Sequence, residues 1–408
     1  MTLSKTLKVI IKIFFTSILF PIKYLVKKGN IIVLSGPDSY SYCDNCRHLY
    51  EHLSTDKSIR VYWYTDSTAV KKHLKSINHL YISKTNILRL IIILLRTKIM
   101  INSGTSYINL FGIIDNPFTY KICTNHGSGP KLEAEIMTSK LLKALKKFDY
   151  LNYPSIYTVN KLGKELYKLP KNKIISLGYP RCDGYFDSNL ISNSSKDKYI
   201  LKSILKDDFD IKSKYIFYTP TWRKNNNTFP LLGMQGFNYE KFNKWLDDRN
   251  IYFLFTSHLN ITMKGVNNSY KRIKMIDRGH HHLLDTNSLM MEIDILLNDY
   301  STTSVDISIL NKPQIFFFPN GNIYSEPDNP DKIKSGILFL DYYRNLIPGD
   351  EVFNYTDFVE KLGNIIANTN EYLSKHKDSS DKLLERYLYK KPTYAGENFK
   401  RFIHGLMR

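Results

Sequence analysis

A chain of 408 residues with 43% apolar and 24% charged side chains can bury substantial cores, and its length favours two domains, with three as the alternative. Lysine and arginine outnumber aspartate and glutamate by 58 to 38, a formal charge of +20 that predicts attraction to polyanions or anionic membranes. Four cysteines are too few for a disulfide framework. The pair Cys43-x-x-Cys46 also has no second pair to complete tetrahedral zinc, so a reduced, cytosolic chain is expected and no metal-ligand set or cofactor is evident.

In chain order, Lys5, Lys8 and Lys12 share one helical face, and Lys23, Lys27 and Lys28 close the segment. The uncharged run Ile13–Ile22 is far shorter than the roughly 20 residues that span a bilayer, and no small-residue cleavage site follows it. Residues 1–29 therefore read as a basic amphipathic segment lying in a membrane interface. Strand-like runs follow at Ile31–Leu34, Ile59–Tyr64, His79–Ser83, Lys98–Ile101, Phe118–Cys123 and Lys173–Leu177, separated mostly by helix-like stretches such as Asn45–Leu53 and Lys131–Lys147. The apolar run Ile87–Leu95 is short and leads into a strand, so it reads as a buried helix rather than a membrane element. Asp187–Asp197, rich in Ser, Asn and Asp, reads as a linker. A second series comprises Tyr215–Tyr218, Ile251–Thr256, Ile273–Ile276, Ile293–Leu297 and Gln314–Phe318, and helical pattern closes the chain at Tyr355–Leu388 and near Glu397–Leu406. Two alternating series predict an α/β protein of two Rossmann-like domains, at 30–190 and 191–408, with the last helices closing the second.

Chemistry-bearing residues gather where these strands end. The run Asn298–Pro313 passes from an apolar strand through Ser301, Thr302, Thr303 and Ser304 into a short helix carrying Asp306. Asp306 lies four residues after Thr302, on the same helical face. Strand ends meeting helix starts bind phosphate through backbone N–H groups and the helix dipole, although Ser and Thr are also ordinary helix caps. Phe118–Cys123 opens into Thr124-Asn125-His126-Gly127-Ser128-Gly129-Pro130-Lys131, which presents a histidine as an acid–base group beside glycines and a lysine. Gly178–Asp183, Thr219–Arg223 and Phe255–His258 also end apolar runs and belong at the same sheet edges. His280-His281-His282 lacks partner spacing for a metal and reads as a polar loop.

Taken in order, these segments resemble the CDP-glycerol glycerophosphotransferase family of teichoic-acid primases, polymerases and related capsule polymerases. The likeness runs over roughly residues 30–400. Its marks are Asp44-Asn45, Ile101-Asn102-Ser103, the His126-Gly127 loop, Gly178-x-Pro180-Arg181-x-Asp183, Pro220-Thr221-Trp222-Arg223, Asp299-Tyr300-Ser301-Thr302 with Asp306, and Asp341-Tyr342 with Pro348-Gly349. Departures fall at Thr302, which keeps a hydroxyl where the family has serine, at Ser128-Gly129, and at Leu259 after His258; the last two leave acceptor identity open.

The resemblance implies a GT-B-like arrangement, with the two domains facing across a cleft. It implies transfer of glycerol phosphate from CDP-glycerol to a hydroxyl of a lipid-linked or polymeric phosphate-containing acceptor, with CMP leaving. His126 is then the candidate base. His258, Arg181, Arg223, Ser301 and Thr302 are candidates to stabilise the phosphates, Asp306 to accept hydrogen bonds from polyol or ribose hydroxyls, and Gly127 and Lys131 to receive the acceptor. The implied location is peripheral, on the cytoplasmic face of the plasma membrane. CDP-ribitol as donor, or a GT-B glycosyltransferase using a sugar nucleotide, would share most of this machinery. A non-enzymatic, basic membrane- or nucleic-acid-binding protein would cluster its cations among aromatics. Here the lysines are scattered, so an enzyme without a nucleic-acid partner is expected.

Overall fold

The computed structural model describes residues 24–104, 118–129, 143–187, 200–220, 228–256, 264–267, 269–276, 282–299, 301–318 and 344–408. These form two wholly parallel sheets. The first has seven strands: β1 (Ile31–Ser35), β2 (Arg60–Tyr64), β3 (Tyr81–Ile82), β4 (Ile99–Asn102), β5 (Tyr120–Cys123), β6 (Tyr150–Asn152) and β7 (Ile174–Ile175), in the spatial order β3-β2-β1-β4-β5-β6-β7. The second has β8 (Lys214–Tyr218), β9 (Ile251–Thr256), β10 (Ile273–Ile276), β11 (Ile295–Asn298), β12 (Gln314–Phe316) and β13 (Gly349–Glu351), in the order β10-β9-β8-β11-β12-β13. β1 and β9 are buried at every position, as strands covered on both faces must be. The short strands β6 and β13 had no apolar run long enough to announce them.

In each sheet the strand order reverses once, between β1 and β4 and again between β8 and β11. Such reversals open a crevice at the strand C-termini, where α/β folds bind ligands. At the first, the Asn102 amide donates to Ser35 Oγ (2.7 Å) and to the Gly36 carbonyl (3.1 Å). At the second, the hydroxyls of Thr219, after β8, and Thr303, after β11, lie 2.9 Å apart.

The helices needed below are α1 (Asp44–Leu53), α2 (Thr68–Ser76), α3 (Ile87–Arg96), α4 (Pro180–Phe186), α5 (Tyr239–Asp247), α6 (Thr286–Met290), α7 (Thr303–Ile309), α8 (Tyr355–Ala367), α9 (Thr369–Tyr387) and α10 (Ala395–Met407). Asparagine starts several of them. Asn86, Asn238, Asn354 and Asn368 each accept from the backbone N–H three residues on, satisfying a donor that a helix start leaves unpaired.

The predicted closing helix departs from expectation. Rather than capping the second domain, α10 returns to the first sheet, where Phe399 and Ile403 are fully buried beside Ile32, Trp63 and Ile101. Burial of side chains this size contributes about 1.5–3 kcal/mol each. Asp183 of α4 accepts from the backbone N–H groups of Ala395 and Gly396 (2.9 and 2.8 Å), and Lys98 reaches the Met407 carbonyl at the far end. Residues beyond about 394 thus belong with the first sheet although they follow the second in sequence.

Candidate functional site

The His126 loop begins where β5 ends. Asn125 takes a left-handed conformation (φ 58°), which asparagine tolerates better than most residues. Its side chain donates to the Asn152 carbonyl (2.6 Å), and its own carbonyl accepts from Asn45 Nδ2 (2.7 Å). Two residues past His126, Ser128 Oγ lies 2.7 Å from the buried hydroxyl of Tyr179. The loop is therefore pinned on both sides, and His126 stands exposed between the pins.

Its glycines meet the other domain. A Cβ added at Gly127 would lie 2.6 Å from Thr302 Oγ1 and 3.2 Å from Thr302 Cβ, and one at Gly129 would lie 3.1 Å from Thr302 Cγ2. The backbone beside the candidate base thus touches the start of α7. Gly127→Ala is expected to destabilise by roughly 1–3 kcal/mol, because Thr302 Cβ is fixed to its backbone and cannot rotate away. Adding Thr302→Gly, which removes that Cβ, should restore part of the unfolding midpoint in denaturant; no restoration would show that the contact does not constrain the fold.

At the start of α7, the Thr303 hydroxyl donates to Ser301 Oγ (3.0 Å) and Asn298 Nδ2 donates to the Ser301 carbonyl (3.2 Å). Asp306, one turn on, is 4% exposed. It pairs with Arg181 of α4, whose Nη2 is 3.0 Å from Asp306 Oδ2 and whose Nη1 is 2.6 Å from Asp44 Oδ1. The Arg181 guanidinium also lies 4.5 Å from the centre of the Tyr179 ring, and its backbone N–H donates to Asn45 Oδ1 (3.4 Å). Burial works against the arginine's charge, and Asp306 and Asp44 more than offset it, so its pKa rises. Burial pushes Asp306 up as well, with Arg181 opposing; one guanidinium serves two carboxyl groups here.

This placement revises two expectations. Arg181, with its side chain 1% exposed, holds two carboxylates together across the domains rather than facing an open phosphate site. Asp306 is committed to that arginine rather than turned toward a ligand hydroxyl. Asp44 and Asn45, which the sequence marks only as a family-like pair opening an amphipathic helix, complete the arrangement; Asp44 takes a left-handed conformation there (φ 67°). His258, Arg223 and Lys131 lie outside the described residues, as do Trp222, Tyr300, His280, His281 and the amphipathic segment before Tyr24. Among the described residues, no group of three or more His, Cys, Asp or Glu side chains is placed to hold a metal.

A second contact joins the domains through His282 and Asp285. Tyr42 N–H donates to the His282 carbonyl (2.8 Å), and Ser67 Oγ lies 2.8 Å from His282 Nδ1, so this histidine serves the domain seam. Asp285, capping α6, lies 2.7 Å from His48 Nε2 and 3.9 Å from Arg47 Nη1 of α1. Burial opposes ionisation of Asp285, but the His48 bond and the charges of His48 and Arg47 outweigh it and hold the carboxyl well below its usual range. A depressed carboxyl stabilises the fold above its unfolded pKa and loses that contribution as pH falls through the folded value. Asp285→Asn should therefore be less stable than the parent at pH 7, with the gap in thermal midpoint narrowing below about pH 4. A constant gap would mean that Asp285 contributes only packing.

The model of the CDP-glycerol:poly(glycerophosphate) glycerophosphotransferases matches residues 18–387. The chain belongs to this family. Among characterised glycerophosphotransferases, it is 26% identical over 366 residues to the teichoic acid glycerol-phosphate transferase of Staphylococcus aureus, covering 84% of this chain and 86% of that protein. It is 26% identical over 221 residues to the teichoic acid glycerol-phosphate primase of Bacillus subtilis, 54% of this chain and 50% of the primase. A structure of the wall teichoic acid polymerase TagF superposes with a TM-score of 0.68 at 18% identity, covering 98% of this chain and 96% of the other. The paired-sheet, GT-B-like α/β fold expected from the sequence is thus the family's fold, and the chain is a transferase.

Proposed function

We propose that this chain moves glycerol phosphate from CDP-glycerol to a hydroxyl of a membrane-linked or polymeric, phosphate-containing acceptor, at the cytoplasmic face of the plasma membrane. The observation that carries the reading is the contact between the His126 loop and Thr302, which joins the candidate base of one sheet to the candidate phosphate site of the other. Family membership supports the donor, and TagF has been solved after a soak with CDPG at comparable structural similarity (TM-score 0.69, 16% identity, 98% of both chains).

In this reading His126 takes the proton from the acceptor hydroxyl as its oxygen attacks the glycerol-bearing phosphorus. The bond from that phosphorus to the bridging oxygen breaks, and CMP departs with the electron pair. Charge building on the phosphate oxygens is met by Ser301, Thr302, Arg223 and His258. Lys131 draws in the acceptor's phosphate, and Gly127, expected to receive the acceptor, instead lets the His126 loop close on Thr302. Arg181 and Asp306 act by holding α4, α1 and α7 in register, which sets the distance between base and donor.

CDP-ribitol is the donor to test against, since the teichoic acid poly(ribitol-phosphate) polymerase of Bacillus spizizenii is also similar, 27% identical over 176 residues, 43% of this chain and 26% of that protein. The deciding experiment measures CMP release by the purified protein from CDP-glycerol and CDP-ribitol, with UDP-sugars alongside and a lipid-linked or phosphoglycerol acceptor present. Release from CDP-glycerol alone establishes the reading. Release from CDP-ribitol alone replaces the donor, and sugar-nucleotide turnover replaces the reaction class.

A further inference from the structure

We propose, resting on the reading of His126 as the base, that Tyr179 is a positioning residue for the transfer: it places the His126 loop from the same point that carries the bridge to α7. The side chain is fully buried and lies at the start of α4, between Gly178 and Pro180. Its hydroxyl is 2.7 Å from Ser128 Oγ, two residues past His126. The Arg181 guanidinium lies 4.5 Å from the centre of its ring. One side chain thus touches both the loop of the base and the arginine that reaches Asp306 in the other domain.

The turn that presents Tyr179 is held on two sides. Asn152, buried at the end of β6, donates to the carbonyls of Gly178 (2.8 Å) and Thr124 (3.3 Å) and accepts from the Leu177 N–H (2.9 Å). That amide ties the turn to the strand end from which the His126 loop departs. From the segment after α9, the Tyr389 hydroxyl accepts from the Tyr179 N–H (3.1 Å) and donates to the Tyr179 carbonyl (3.2 Å). The phenol therefore projects from a fixed backbone.

The loop's other pin leads to the same place. Asn45 donates to the Asn125 carbonyl at the loop's start, and its Oδ1 accepts from the Arg181 N–H. Both ends of the loop hang on residues 179–181 and α1, and these also hold Asp306, one turn from the candidate phosphate site. Packing by itself does not call for the Tyr179 hydroxyl. Phenylalanine would fill the space without the cost of burying an O–H, which a hydrogen bond must offset. Burial pushes the phenol's pKa up, so it stays neutral and adds no charge beside the base. What the hydroxyl supplies is a fixed place for Ser128. Placement on this scale governs rate, since a shift of about 1 Å can cost about 10²-fold.

The test is Tyr179→Phe, which keeps the ring beside Arg181 and removes only the hydroxyl. It should lower kcat for CMP release about tenfold or more while KM for CDP-glycerol stays within about twofold. Tyr215→Phe, which deletes a hydroxyl bonded to the Asp210 carbonyl near the N-terminal end of β8, should change neither. In a His126→Ala background Tyr179→Phe should cost nothing further, because it acts through the imidazole. A residue that merely supports the fold would cost the same in both backgrounds. Parental kcat in Tyr179→Phe, or an equal loss with and without His126, overturns the proposal. Hydrogen exchange over residues 124–129 reads the same pin without turnover. It should quicken about tenfold in Tyr179→Phe while α10 exchanges as in the parent, and an unchanged rate overturns the proposal. A parent that releases no CMP from CDP-glycerol would sink the donor reading alone, and the exchange rates would then decide this one.

Discussion

Replacing His126 by alanine is expected to lower CMP release from CDP-glycerol by about 10²–10⁴-fold, the range that a positioned general base contributes. The unfolding midpoint should move little, since the side chain is exposed and such substitutions usually stay within about 0.5 kcal/mol. A variant that keeps its rate would move the proton transfer to another group. The loop is pinned independently of the imidazole, by Asn45 on the Asn125 carbonyl and by Tyr179 on Ser128, so the substitution leaves its backbone in place.

Arg181→Met should have the largest effect on stability, about 3–5 kcal/mol, because it strands Asp44 and Asp306 in a buried site without their counter-charge. For a protein of two such domains this corresponds to a fall in Tm of roughly 10 °C. CMP release should fall as well, since the same guanidinium ties α4 to helices of both domains. Arg181→Met/Asp306→Asn should recover part of the lost stability, having removed one of the two stranded charges, and recovery of that kind distinguishes an electrostatic bridge from simple packing. Equal stability of parent and Arg181→Met would mean that solvent, not the arginine, satisfies the carboxylates.

Much of this was legible before any coordinates. The apolar run Ile251–Thr256 coincides with β9, because a strand buried on both faces must be apolar throughout, and Ile273–Ile276 coincides with the edge strand β10, whose Lys274 is only partly buried. Loops rich in Gly, Ser and His fall at strand C-termini for an equally local reason, since tight turns and unpaired donors demand those residue types. The three-residue strands β6 and β13 left no such trace. The exposure of Leu88 and Ile92 on the outer face of α3 was not legible, because a run of eight apolar residues broken only by Arg89 conceals which side faces the core.

The sequence by itself determined the two parallel α/β domains, the family, and the candidate reaction, because each rests on residue types at short spacings. Tertiary structure alone decided what those residues touch. Arg181 and Asp306 are 125 positions apart, and Asp44 lies 137 positions from Arg181, so only the folded chain turns a presumed phosphate contact into a bridge. It likewise returned α10 to the first sheet and set Gly127 against Thr302. Local propensity is written into neighbouring residues, whereas charge pairing and docking depend on which distant surfaces the closed domains bring together.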